Sequence, residues 1–159
     1  MRVLSKIVLV CLATFAVPPT APRAEAPAAS AEQGPTEPLA IATRDGRRAF
    51  KVEVMRNDAQ RAKGLMYRRQ MAADHGMLFD FERPLPVNMW MKNTYIPLDM
   101  VFIRSDGSIA RIAADTEPLS TQIISSGEPV LSVLELNAGT AAKLGIRAGD
   151  RVEHALFRR

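Results

Sequence analysis

The sequence is poor in the residues on which most reactive or cross-linked proteins rely. Its 159 residues include one cysteine (Cys11), one tryptophan (Trp90) and two histidines (His75 and His154). A lone thiol excludes a disulfide framework. No serine has a nucleophile-elbow setting, and neither histidine has evident triad partners. A glycine-rich phosphate loop and an HExxH helix are both missing, so the sequence implies neither a nucleotide cradle nor a zincin site, and no cofactor. With aromatics at 6% and no basic stripe that interleaves them, nucleic acid is not an expected partner. The chain is also too short for an eight-stranded α/β barrel or two domains, while 47% hydrophobic residues exclude a disordered chain.

The N-terminus has the layout of a secretory signal. Arg2 and Lys6 precede an uncharged run from Ile7 to Val17, which stops at Pro18-Pro19. Positive charge followed by about 7–15 apolar residues and then small residues marks export, whereas a spanning helix needs about 20. Residues 1–31 are therefore predicted to be a signal peptide cut after Ala31, with Ala26 as the other candidate, giving a periplasmic or extracellular protein without a transmembrane segment. Cys11 lies inside the apolar run after Val10, which is not the setting of an acylated lipoprotein cysteine. The cut removes the only thiol, together with three of the 21 basic and one of the 17 acidic side chains. That leaves 18 against 16, a net charge of +2 in place of +4. From Pro18 to Pro38, 12 of 21 residues are Pro or Ala, so residues 32–38 read as a flexible tether to one domain over 39–159.

Within that domain Asp45-Gly46 and Asp106-Gly107 each separate two apolar-patterned segments, the signal of a β-hairpin. Arg44, Arg47 and Arg48 surround the first turn and read as a solvated tip. Further strands are expected over 77–81, 87–91, 130–136 and 151–157. Asn57 with Gln60 forms a capping box for a short helix that Gly64 can end, and Asn137 is expected to cap a second helix over 138–144. Gly76 reads as a turn residue and His154 as a surface or edge residue. The order is not alternating βαβ. The predicted fold is mostly β (α+β), a compact small barrel or rolled antiparallel-rich sheet of about seven strands with two short helices. The pattern implies no particular oligomer.

Five motifs follow in order: Gly64-Leu65-Met66-Tyr67-Arg68, Gly76-Met77-Leu78-Phe79, Trp90-Met91-Lys92-Asn93-Thr94, Pro97-Leu98-Asp99, and Leu134-Glu135-Leu136-Asn137-Ala138-Gly139. Together they resemble the prokaryotic domain-of-unknown-function family number 192, over roughly Phe50 to Leu156. Tyr67 stands where phenylalanine is common, and Met89 where an aromatic is common. The resemblance implies a mostly-β single domain, often exported, and supplies no catalytic residue to carry over.

Three constellations carry chemistry. Asp99 and Glu135 each sit in a strand that is apolar on both faces, where a carboxylate is costly unless paired. They are either an acid–base pair of a hydrolase or structural groups bonded to Lys92, Arg111 or backbone N–H groups. Trp90, Lys92, Asn93 and Thr94 put a ring, a cation, an amide and a hydroxyl within five residues, as a ligand cleft would. Asn93 and Thr94 can equally serve only to fix a turn. Met89, Met91 and His75 have the ligand types of a Cu(I) carrier, against the ordinary use of methionine as core filler. The leading expectation is an exported binding module for a small polar ligand or envelope glycan, held by Trp90, Lys92, Asn93, Thr94, Asp99 and Glu135. The alternatives are the Asp99/Glu135 hydrolase, the copper carrier, and a purely structural set of motifs whose function lies in a protein–protein surface.

Overall fold

Arg44 and Asp45 form the turn that joins β1 (Glu37–Thr43) to β2 (Gly46–Met55), with Thr43 opposite Gly46. Gly46 has φ of 116°, a conformation in which a side chain would be strained. The computed structural model describes residues 34–158. The expected signal peptide and the start of the tether lie outside them, while Glu37 and Pro38 already pair with Val52 and Lys51 in β1.

After β2, Asn57 caps α1 (Asp58–Lys63) in the expected capping box with Gln60, and Gly64 ends the helix. A covering segment, residues 64–74, then leads into β3 (His75–Met89). Two strands were expected here, and one bent strand is found. Its register shifts between Asp80 and Leu85 and again between Pro86 and Asn88. Pro84 and Pro86 have no N–H to give the ladder, so the strand bends there instead of ending. The remaining strands are β4 (Leu98–Ile103), β5 (Ile109–Thr116), β6 (Ile124–Asn137) and β7 (Arg151–Glu153), with α2 (Thr140–Leu144) before β7. Residues Ala155–Arg158 form a 3₁₀ turn where the last strand was expected to continue.

The sheet order is β5-β4-β6-β3-β2-β1-β7, and all neighbours are antiparallel except β2 and β3. The sheet rolls until its two edges meet. Ile109 N–H donates to the Asp150 carbonyl, and Val152 N–H donates to the Gly107 carbonyl. Rolling gives two apolar faces. The inner one gathers Ile41, Val52, Leu78, Val101, Leu134 and Leu136; the outer one gathers Met77, Phe79, Met91, Met100, Phe102 and Val133. Strand alternation sends neighbouring residues of β4 and of the second half of β6 to opposite cores, which is why apolar residues there run on without a polar face. Among the described residues no helix is long and apolar enough to cross a membrane.

Three local expectations need correction. Asn137 does not cap α2; its side-chain amide donates to the carbonyls of Met71 and Ala72 and so pins the covering segment. His154 is buried rather than exposed: Leu156 N–H donates to its Nδ1, and burial pushes the imidazole below its ordinary pKa. Gly76 is the second residue of β3, not a turn. A Cβ there would sit 2.8 Å from the Glu135 carbonyl oxygen and 2.9 Å from Leu136 Cδ2. Gly76→Ala is therefore expected to push β3 from β6 and cost about 1–3 kcal/mol, the usual range for overpacking, measured by urea unfolding.

Candidate functional site

The cross-strand register decides the fate of the two acids. Asp99 lies opposite Leu136, and Glu135 lies opposite Met100, so the two carboxyls leave opposite faces of the sheet. Asp99 points into the inner core and is fully buried. Its Oδ1 accepts from the N–H groups of Asp115 (2.9 Å) and Gly139 (3.2 Å), and its Oδ2 accepts from Ala141 (2.8 Å). It thereby caps the start of α2 and ties β5 to β4. The acid–base pair is not formed, and Asp99 leaves the candidate site as a structural carboxylate bonded to the backbone.

Glu135 faces the other way and is only 4% exposed. Among the described residues its carboxyl has no hydrogen-bond partner and no ion-pair partner. Burial alone pushes its pKa up to about 8, so it is protonated at neutral pH. It lines a cleft together with Phe79, Met89, Trp90, Lys92 and Thr94 on one side and residues 61–66 on the other. Trp90, Lys92, Thr94 and Glu135 thus converge, as the sequence suggested. The cleft holds about 30 Å³, room for a couple of waters. Thr94 is buried, its hydroxyl 3.4 Å from the Lys92 carbonyl, while Trp90 is half exposed with the Lys92 ammonium 5.6 Å from its ring centre.

Two segments roof Glu135, and they are joined at strained residues. Tyr67 and Asn93 both have left-handed backbones, with φ of 67° and 57°. Tyr67 N–H donates to the Asn93 carbonyl, and the Asn93 amide donates back to the Tyr67 hydroxyl at 3.0 Å. Asn93 is therefore the clasp of the roof and not a lining residue. Non-glycine residues in this conformation cost of order 1 kcal/mol or more and persist only where surroundings enforce them. Next to Tyr67 an ion pair anchors the same segment: Arg68 grips the carboxylate of Glu53 with two nitrogens, one at 2.7 Å, on the outer face of β2. Burial would raise the Glu53 carboxyl, but the bonds from Arg68 and from the Gly34 backbone outweigh it and hold the pKa below the ordinary value. Composition and motif spacing did not point to Glu53 and Arg68, because the partners are fifteen residues apart on a strand and a loop.

The copper triad is not assembled. Met91 is fully buried in the outer core, with the Thr116 hydroxyl 3.2 Å from its sulfur. The His75 imidazole lies 2.8 Å from the Asp74 carboxylate, and only Met89 reaches the cleft. No cluster of three or more His, Cys, Asp or Glu side chains suited to a metal occurs among the described residues.

The Glu135 carboxyl has a consequence for stability. Its folded pKa, about 8, stands above the ordinary 4.5. Below pH 4.5 it is protonated in both states. As the pH rises from there to about 8 the unfolded chain loses the proton first, so stability falls across this window, with a slope of about 1.4 kcal/mol per pH unit. Glu135→Gln is expected to flatten this fall, as read by unfolding free energies between pH 5 and 9.

With the geometry established, comparison with known proteins adds kinship. The family model DUF192, described as uncharacterized ACR, matches residues 40–154. A Sinorhizobium meliloti 1021 protein described as a candidate transcription regulator is 55% identical; the match covers 76% of this chain and 95% of that one, with a TM-score of 0.74. A Novosphingobium aromaticivorans DSM 12444 protein of unknown function is 39% identical, covering 82% of this chain and 94% of that one, with a TM-score of 0.76. Both are crystal structures of little more than the domain, so a domain of this extent folds alone. No curated protein matches. Matched by the family model over most of its length, the chain belongs to the DUF192 family.

Proposed function

We propose that the protein is an exported binding module whose cleft, floored by Glu135, takes a small polar group of a ligand such as an envelope glycan. The observation that carries this reading is the buried, partnerless carboxyl of Glu135 beneath an exposed tryptophan. A desolvated carboxyl that no protein group bonds gains a hydrogen bond when a ligand's polar group enters the cleft. Protonated, this carboxyl donates one hydrogen bond and accepts others, a match for a hydroxyl that does both. The cleft is too small for a whole sugar, so one hydroxyl enters while the ring it belongs to lies over Trp90. Lys92 at the rim supplies a cation for any carboxylate the ligand bears. A hydrolase reading lacks its second carboxyl, because Asp99 is committed to three backbone amides on the other face. Export is supported by Arg2 and Lys6 ahead of the apolar run from Ile7 to Val17.

Two measurements test the reading. Trp90 is the only tryptophan, so its fluorescence reports the cleft directly. Titration with soluble cell-wall and neutral oligosaccharides is expected to give a saturable change, weakened about tenfold in Glu135→Leu, a loss of roughly 1.4 kcal/mol. A folded protein that responds to none of them overturns the binding reading. Expressed with its leader, the protein is expected in the envelope fraction with a chain beginning at Glu32 or Pro27; an uncut chain in the cytosol removes the export half.

A further inference from the structure

We propose that the face around the mouth of the cleft docks on an anionic lipid surface. This inference stands on the exterior of the molecule and does not depend on what enters the cleft. The large apolar side chains exposed among the described residues are Tyr67, Trp90, Tyr95, Leu119 and Ile123. They lie on three segments that hydrogen bonds hold side by side. Tyr67 N–H donates to the Asn93 carbonyl, Leu119 N–H to the Thr94 carbonyl, and Met91 N–H to the Ser120 carbonyl. The rings of Tyr67 and Tyr95 meet edge to face at 6.3 Å, and Ile123 adjoins Ile124, the strand partner of Met89 beside Trp90. The five exposed side chains therefore stand on adjoining segments of one region of the surface. Elsewhere the described surface leaves no large hydrophobic exposed.

Cations outnumber acids around the patch. Residues 61–73, 83–98 and 118–127 contain no Asp or Glu, while Glu117 and Glu128 flank the third segment and exposed Glu117 stands two residues from Leu119. Arg61 is held by Asp58 of its own helix and Arg68 by Glu53 of β2, but Lys63, Arg69 and Lys92 are exposed and have no carboxylate partner among the described residues. Arg69 lies 5.4 Å from the ring centre of Tyr95, and Lys92 lies 5.6 Å from that of Trp90. Rings with a polar end, each paired to a cation, suit the headgroup layer of a bilayer, where Trp and Tyr concentrate and Lys or Arg meet anionic lipid. Leu119, with φ of 65°, stands on a left-handed turn, and its exposed aliphatic chain is of the kind that enters the acyl boundary. A folded protein partner would need its own carboxylates against three cations; a phosphatidylglycerol surface supplies the charge and the apolar layer together.

The test uses residues 34–159, an extent whose relatives fold alone, so that the N-terminal apolar run cannot bind lipid. The domain is expected to float with vesicles of equimolar phosphatidylglycerol and phosphatidylcholine but not with phosphatidylcholine alone, with a blue shift of Trp90 emission and weaker binding as salt rises. Arg69→Gln, outside the cleft, is expected to weaken binding about fivefold, the weight of one cation near such a surface. Leu119→Ser with Ile123→Ser is expected to weaken it further, and neither change should alter thermal unfolding. Failure to float with the mixed vesicles overturns the proposal, as does flotation that survives Leu119→Ser with Ile123→Ser. Binding to heparin as tight as to vesicles, without a shift in Trp90 emission, overturns it too, because charge alone would then be read. Vesicle binding without any glycan response leaves this inference standing while the cleft reading falls, and the converse result separates them equally.

Discussion

The register between β4 and β6 is the constraint on which the rest depends. With Asp99 opposite Leu136 and Met100 opposite Glu135, one carboxyl is delivered to each face of a sheet buried on both. A slip of one residue would exchange the two cores and the two acids together. On the inner face Asp99 replaces the side-chain cap that α2 lacks, since Gly139 at its start has none to give. One side chain thereby holds helix, loop and strand to β4, and the rolled sheet closes where the β4–β5 turn reaches β7.

The outer face was solved differently. There the sheet is covered by the end of α1 and, for the most part, by loops, and loops bring polar backbone that must be satisfied. Asn137 meets the carbonyls of Met71 and Ala72, Arg68 meets Glu53, and Asn93 meets Tyr67. Every one of these contacts serves the roof, and none serves Glu135. A carboxyl that could have been a leucine, in a strand where its neighbours are Leu134 and Leu136, is kept at a cost to stability beneath two strained residues. The contrast with Asp99 is the strongest functional statement the molecule makes, because the same fold shows how it satisfies a buried acid when the acid is structural.

The two readings of the outer face occupy different depths. The cleft is small, polar at its floor and governed by the protonation of Glu135. The surface around it is broad, aromatic and cationic, and governed by charge and by exposed apolar area. Trp90 and Lys92 stand where the two meet, so a ligand displayed at an envelope surface would be met by the patch and the cleft from the same side.

Much of the architecture was legible in the sequence because it rests on local rules. Asp45-Gly46 and Asp106-Gly107 specify hairpins, Asn57 with Gln60 specifies a capped helix, and the count of strands and helices follows from such signals. The gathering of Trp90, Lys92 and Thr94 was legible because they are neighbours in the chain. Where partners are distant, local rules fail. Pro84 and Pro86 look like a break between strands, but the pairing of β3 with β6 carries the strand through as a bend. Asn137 has the right chemistry for a cap, yet the covering segment claims its amide and Asp99 takes the capping role from another strand. Asp99 and Glu135 look equivalent as sequence, each an acid among apolar neighbours. Alternation fixes which side each takes only relative to its own strand, and the cross-strand register alone sets those sides against each other. The sequence by itself determined that Asp99 and Glu135 would stand among apolar, buried neighbours; the tertiary structure decided that one is satisfied by three amides and the other faces an open cleft, because hydrogen-bond partners are chosen by distance in space and not along the chain.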